Sequence, residues 1–165
     1  MNSMQTLLEK QIEIFYPPQL VFGNGCAPKC IEDLISRGKQ RIFVVVSSSV
    51  KPSVASWLKI LESKCQAVQL WSRIDQEPTI GMFEEALEQA QAFKPDAILG
   101  IGGGSVLDVS KLVAALVDGN QQIREVIGIG KLKRRAVYLV CLPTTAGTGS
   151  EVSPNAIYCL MRKRI

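Results

Sequence analysis

The sequence predicts an α/β domain with a doubly wound, mostly parallel sheet, and three observations carry that prediction. Four short β-branched, apolar runs recur along the chain, Arg41–Ser47, Ala67–Trp71, Asp96–Ile101 and Ala136–Leu142. Uninterrupted apolar strands of this kind belong to parallel sheets covered on both faces, because neither side of the strand meets water. Segments with helical spacing separate the runs, and alternation of strand and helix is the signature of stacked crossover units. Finally, 47% of the 165 residues are apolar and 21% charged, so one domain can bury a core and disorder is excluded.

Taken in order, a strand-like stretch at Gln19–Phe22 precedes a helix from about Ala27 to Ser36, which Gly38 ends as a left-handed residue just past the cap. After the Arg41–Ser47 strand, Val54, Trp57, Leu58 and Leu61 form one helical face. Phe83, Ala86, Leu87 and Ala90 do the same before the Asp96–Ile101 strand, and Val109, Leu112, Val113, Leu116 and Val117 after it. No repeat, low-complexity tract or linker interrupts the pattern. Beyond the fourth strand the chain runs through an apolar stretch, Ala156–Met161, into a basic tail. A strand there lacks a covering helix, so the sequence reads as the first part of a longer protein.

Composition removes several chemistries. With no histidine, the chain cannot build a His-based zinc site, a Ser-His-Asp triad or a Cys-His dyad. Five cysteines, Cys26, Cys30, Cys65, Cys141 and Cys159, make an odd set, two of them in apolar runs, which points to reduced thiols in the cytoplasm. The charged N-terminus lacks the apolar core of a signal peptide, and no run approaches a membrane span. Residues 131–165 carry seven basic side chains against one acidic, leaving twelve against fourteen over the first 130. Short basic clusters without interleaved aromatics read as solvated loops, so nucleic acid is not expected as a partner.

Two loops can carry chemistry. Gly102-Gly103-Gly104-Ser105 lies between a buried strand and a long helix. Glycines let the backbone approach a ligand closely, and the helix start offers free N–H groups and a positive dipole end, together a phosphate cradle. Ser105 and Asp108 also have the spacing of a capping box, which gives both residues a local structural role. The pattern is not the usual dinucleotide fingerprint: Gly100-Ile-Gly102-Gly-Gly-Ser105 has serine where the last glycine should be and follows a later strand, while Gly23-Asn-Gly25-Cys-Ala-Pro28 departs further. The second loop, Pro143-Thr144-Thr145-Ala146-Gly147-Thr148-Gly149-Ser150-Glu151, follows the fourth strand with four hydroxyls and two glycines, a donor-rich segment at the same sheet edge.

GGGSVLDVSK (102–111) and LPTTAGTGSEVSP (142–154) resemble the signature segments of the iron-containing (group III) alcohol dehydrogenases, with FGNGC (22–26) and EPT (77–79) at similar short motifs. The resemblance covers nearly the whole chain, and the threonine loop separates it from the related polyol dehydrogenases and dehydroquinate synthase-like enzymes. It implies a dehydroquinate synthase-like N-terminal domain, residues 1–165, holding NAD or NADP. A helical C-terminal domain, missing from this chain, would hold the divalent metal, iron or zinc, through an aspartate and three histidines. By that resemblance the pyrophosphate rests on Gly103, Gly104 and Ser105, and Thr144, Thr145, Gly147 and Thr148 close over phosphates and nicotinamide, with Ser150 and Asn155 at the same site.

Two positions depart from the family pattern. Ser47 stands where an aspartate usually grips the adenosine ribose, so NADP is as admissible as NAD. Glu77 stands where asparagine is common and reads as an exposed loop residue. Asp33, Asp75, Asp108 and Asp118 form no ligand set, and Cys26 and Cys30 alone make a poor one. The implied activity is hydride transfer between a primary alcohol or short diol and the nicotinamide, in a cytoplasmic homodimer, with this chain contributing no catalytic residue. The competing readings are a stand-alone nucleotide-binding module without catalysis and a related polyol dehydrogenase.

Overall fold

The structure, a computed structural model, describes residues 17–74, 78–128 and 130–156. Four strands, β1 (Arg41–Val46), β2 (Ala67–Trp71), β3 (Ala97–Gly102) and β4 (Tyr138–Pro143), form one sheet in the order β2-β1-β3-β4, every pairing parallel. Helix α1 (Lys29–Ser36) precedes β1, and α2 (Ala55–Lys64), entered through a 3-10 turn at Lys51–Val54, links β1 to β2. Helices α3 (Ile80–Phe93) and α4 (Gly104–Leu116) lead to and from β3, and a second 3-10 turn lies at Ile123–Val126.

The period-2 geometry of a strand divides the core between the two faces of the sheet. On β1, Ile42, Val44 and Val46 pack with Ile31 and Leu34 of α1 and Leu61 of α2, while Phe43 and Val45 pack with Phe83 of α3 and Val109 and Val113 of α4. Both faces are therefore covered, as the apolar runs require. The connection from β1 turns towards β2 and the next one crosses back to β3, which places the topological switch between β1 and β3. In open α/β sheets the crevice at that switch, outside the carboxyl ends of the strands, is where ligands bind. It is bounded here by the residues after β1, beginning at Ser47, and those after β3, beginning at Gly103.

The first helix ends at Ser36 before Gly38, as predicted, but starts at Lys29 instead of Ala27, and a cap that was not predicted starts the third. Gly38, at φ +66°, follows α1 with its N–H on Ile35 O at 2.9 Å, and Thr79 caps α3 by accepting from the Met82 N–H at 3.3 Å. Three expectations are corrected. Gln19–Phe22 is not assigned as a strand and pairs with no neighbour among the described residues, and Phe22 is 97% exposed. β4 is only half-buried along Tyr138–Leu142 because it is the edge of the sheet among the described residues. It also begins two residues later than the apolar run suggests, because the Ala136 and Val137 N–H groups both donate to Ala114 O of α4 instead of to the ladder. Most of the Ala156–Met161 run, Asp75, Glu77 and Cys159 lie outside the described residues.

Candidate functional site

At the switch, α4 starts directly from β3. The first turn closes with the Leu107 N–H on Gly103 O at 3.1 Å, so Gly103 is the cap and Ser105 already lies inside the helix. This corrects the predicted capping box: no side chain caps α4, and Asp108 turns elsewhere. The N–H groups of the first turn have no acceptor within the helix and face the end of the sheet with the positive end of the helix dipole. Gly103 and Gly104 flank this shelf.

The threonine loop comes down onto it. The ladder between β3 and β4 is extended by the Thr144 N–H on Gly102 O at 3.0 Å, which starts the loop beside the glycine turn. A Cβ on Gly104 would lie 2.9–3.1 Å from the Thr148 side chain, and one on Gly103 would lie 3.3 Å from Thr145 Oγ1. The glycines thus admit the threonines. Gly147, at φ +127°, lets the loop reverse between them, and Thr144–Thr148 are exposed, with their hydroxyls available to a ligand.

The loop's far end is fixed inside the protein. Ser150, 5% exposed, donates its hydroxyl to Asp108 Oδ1 in a short hydrogen bond, and Lys111 Nζ lies 2.8 Å from the same oxygen. Lys111 also donates to Ser153 O at 3.4 Å and, in a short contact, to Asn155 O. Asn155 therefore takes part through its backbone, with its side chain on the exposed surface. Ser47 sits one residue beyond Val46, the β1 partner of Ile101, with its hydroxyl 3.2 Å from that of Ser49, while Ser48 donates to Ser72 O at 3.0 Å.

The structure therefore brings Gly103, Gly104, Ser105, Thr144, Thr145, Gly147 and Thr148 together at one edge, with Ser150 buried behind them and Ser47 on the β1 side of the crevice. Sequence reading missed Lys111 and the true partners of Asp108. The available signal was an acid and a base three apart on a helix face that is otherwise apolar. Among the described residues, no group of three or more His, Cys, Asp or Glu side chains could hold a metal. The nearby thiol of Cys141, in β4, is pushed up to about 11 by burial, which disfavours its thiolate.

Residues 17–164 match the family model described as iron-containing alcohol dehydrogenase. The chain belongs to that family. Among curated relatives, alcohol dehydrogenase 4 of Schizosaccharomyces pombe is 30% identical over 149 residues, which cover 88% of this chain and 35% of that protein. Among solved structures, NADH-dependent butanol dehydrogenase A of Thermotoga maritima superposes with a TM-score of 0.78 at 26% identity, covering 92% of this chain and 39% of its own. Sulfoacetaldehyde reductase of Bifidobacterium kashiwanohense, solved in complex with NAD+, superposes with a TM-score of 0.73 at 25% identity, covering 87% and 39%. The chain thus spans less than two fifths of the length of these three proteins. Among the described residues no helix is long and apolar enough to cross a membrane.

Proposed function

We propose that this chain is the NAD(P)-binding α/β domain, residues 1–165, of a metal-requiring alcohol dehydrogenase acting on a primary alcohol or short diol and the corresponding aldehyde. The observation that carries the reading is the shelf at the β1–β3 switch, where the start of α4 and the threonine loop meet across Gly103 and Gly104. A dinucleotide pyrophosphate fits it on physical grounds: free N–H groups and a positive dipole end meet the anionic oxygens, and glycines leave the backbone open to close approach. The Thr144, Thr145 and Thr148 hydroxyls, on an exposed loop, would donate to the same oxygens and to the nicotinamide end.

When bound, the dinucleotide supplies the nicotinamide ring that accepts or returns hydride. The residues of this chain bind and orient it, and Ser47, at the end of β1, lies on the side of the crevice where the adenosine ribose would rest. A serine there neither grips the ribose hydroxyls as a carboxylate does nor repels a 2′-phosphate, so both NAD and NADP are admitted. The described residues offer no donor set that fits a metal. The four described cysteines are unpaired, which supports a cytoplasmic setting, and the exposed Leu20, Val21 and Phe22 support a homodimer that covers them.

The test is a titration of the chain with NADH and with NADPH, read by nicotinamide fluorescence and calorimetry, with ADP-ribose as competitor. Saturable binding displaced by ADP-ribose is expected. Absence of binding for both dinucleotides at millimolar concentration overturns the reading. Assay of the protein isolated from its source with primary alcohols and short diols, with and without added Fe2+ or Zn2+, tests the substrate class and the metal.

A further inference from the structure

Lys111 has three N–H bonds to give, and the structure supplies three acceptors for them. These are Asp108 Oδ1 at 2.8 Å, Ser153 O at 3.4 Å and Asn155 O in a short contact. The Lys111 and Asp108 side chains are each only 12% exposed, and Ser150 completes the cluster by donating its hydroxyl to Asp108. Two of the three acceptors are main-chain carbonyls of the segment that continues the threonine loop. The helix that offers its first turn to the pyrophosphate therefore also grips the far end of the loop lying against that turn.

We infer that Lys111 is a positioning residue for the dinucleotide, fastening the threonine loop over the glycine turn through Asp108, Ser150 and the carbonyls of residues 153 and 155. The inference rests on the cofactor reading above. The loop is held at both ends, at its start by the Thr144 N–H on Gly102 O and at its end by Lys111, and between these points Thr145 and Thr148 occupy the space that a Cβ on Gly103 or Gly104 would crowd. Fixing a loop in its binding conformation removes an ordering cost that would otherwise be subtracted from affinity. The acceptors converge on a single point, which suits a compact ammonium and not the planar fork of arginine.

Charge gives the second half of the argument. Asp108 lies four residues into α4 from Gly104, about 6 Å along the helix axis. The Lys111 ammonium offsets its charge towards an anionic ligand, and without that ammonium the buried carboxylate near the phosphates is less compensated. Loss of Lys111 should therefore weaken binding twice, by releasing the loop and by exposing that charge, whereas the Asp108→Asn/Lys111→Met double variant suffers only the first.

The experiment uses the chain itself, titrated with NADH, with folding checked by circular dichroism. Ser150→Val and Ser150→Thr are isosteric with each other and differ in the hydroxyl, so their comparison removes packing effects. The expected result is about tenfold or greater weakening for Ser150→Val and Lys111→Met, the scale of hydrogen bonds to charged groups, with Ser150→Thr within about twofold of the parent. The double variant should recover part of the loss of Lys111→Met, most clearly at low salt. Cleavage after Glu151 by a glutamate-specific protease, located by mass, should be faster in Ser150→Val and slowed by NADH in the parent chain. Folded Ser150→Val and Lys111→Met variants that bind NADH and resist cleavage like the parent overturn the inference. If Lys111→Met does not fold, the Ser150 pair decides it. Failure of the parent chain to bind NADH or NADPH overturns the cofactor reading instead, and the two failures are told apart by that control.

Discussion

Substituting alanine at Gly102 and at Gly104 should have opposite consequences, because the same added methyl meets different neighbours. At Gly102 a Cβ would lie 2.6, 2.7 and 3.0 Å from Cγ2, Cβ and Cγ1 of Val106. Val106 is 2% exposed and sits in the first turn of α4, and turning its χ1 moves the γ carbons but leaves its Cβ in place. Relief requires the helix start to move off β3. Overpacking of this kind costs about 2 kcal/mol, within a range of about 1–3. For a chain of this size that is a fall in Tm of about 4–8 °C.

At Gly104 the methyl would meet Thr148 Cγ2 at 2.9 Å and its Cβ and Oγ1 at 3.1 Å, but Thr148 is exposed on a loop that can give way. The backbone at Gly104 is not left-handed, so alanine adopts it without strain, and at the start of a helix it is a better helix former by up to about 1 kcal/mol. Folding should be nearly unchanged. Binding should not, since the methyl occupies the shelf and displaces the loop that covers it, and a loss of about tenfold in NADH affinity corresponds to about 1.4 kcal/mol. Thermal denaturation followed by circular dichroism and nicotinamide fluorescence titration measure the two effects on the same samples. Gly104→Ala binding NADH like the parent, or Gly102→Ala retaining the parental Tm, would refute the division of roles.

Three further outcomes follow from the geometry. Ser47→Asp should lower affinity for NADPH well below that for NADH, through repulsion of the 2′-phosphate, and an equal loss for both in paired titrations would remove Ser47 from the ribose side of the crevice. Tyr138 donates to Asp33 Oδ2 at 2.8 Å, beside the Arg37 guanidinium that donates to Oδ1 at 2.8 Å, so Tyr138→Phe should cost about 1 kcal/mol, or about 2–4 °C in Tm, and an unchanged Tm contradicts a contribution from that bond. Cys141 keeps its proton in the fold up to about 11, against 9.0 as the ordinary value, because burial disfavours the thiolate. Between those two values the unfolded chain binds fewer protons than the folded one. The contribution is therefore complete below pH 9 and is lost as pH rises towards 11, at up to about 1.4 kcal/mol per pH unit. Cys141→Ala should reduce the slope of urea-derived stability over that interval without abolishing it, because burial also pushes the Cys30 thiol up to about 11, and an unchanged slope would show that the Cys141 thiol does not titrate late.

The four strands, their alternation with helices and the glycine shelf were legible because each depends on local pattern. β2 falls on Ala67–Trp71 as the apolar run predicts, and the ends of β1, β3 and β4 differ by one or two residues. What could not be read locally was decided by partners far along the chain. Gln19–Phe22 has strand-forming residues but no strand to pair with among the described residues. Ser105 and Asp108 have the spacing of a capping box, yet the helix starts earlier, at Gly103, and Asp108 is taken by Ser150, 42 residues away. Lys111 meets the main chain at residues 153 and 155, a contact no periodicity reports.

The glycine run shows the same limit at finer grain. Read as sequence, Gly102, Gly103 and Gly104 are equivalent, since each only lacks a Cβ. In the fold, Gly100 and Gly102 share the face of β3 turned towards α4. There a Cβ at Gly100 would crowd Ser110, whose Cβ lies 2.8 Å away and whose own hydroxyl is satisfied by Val106 O at 2.7 Å. Those two glycines let the helix lie close on the strand. Only Gly103 and Gly104, past the end of the strand, border the shelf, and their open side faces the threonines. A short helix-to-sheet distance set by one pair of glycines fixes where the helix start lies, and the other pair decides what can approach it, so side chains added to the first pair should act on folding and those added to the second on binding.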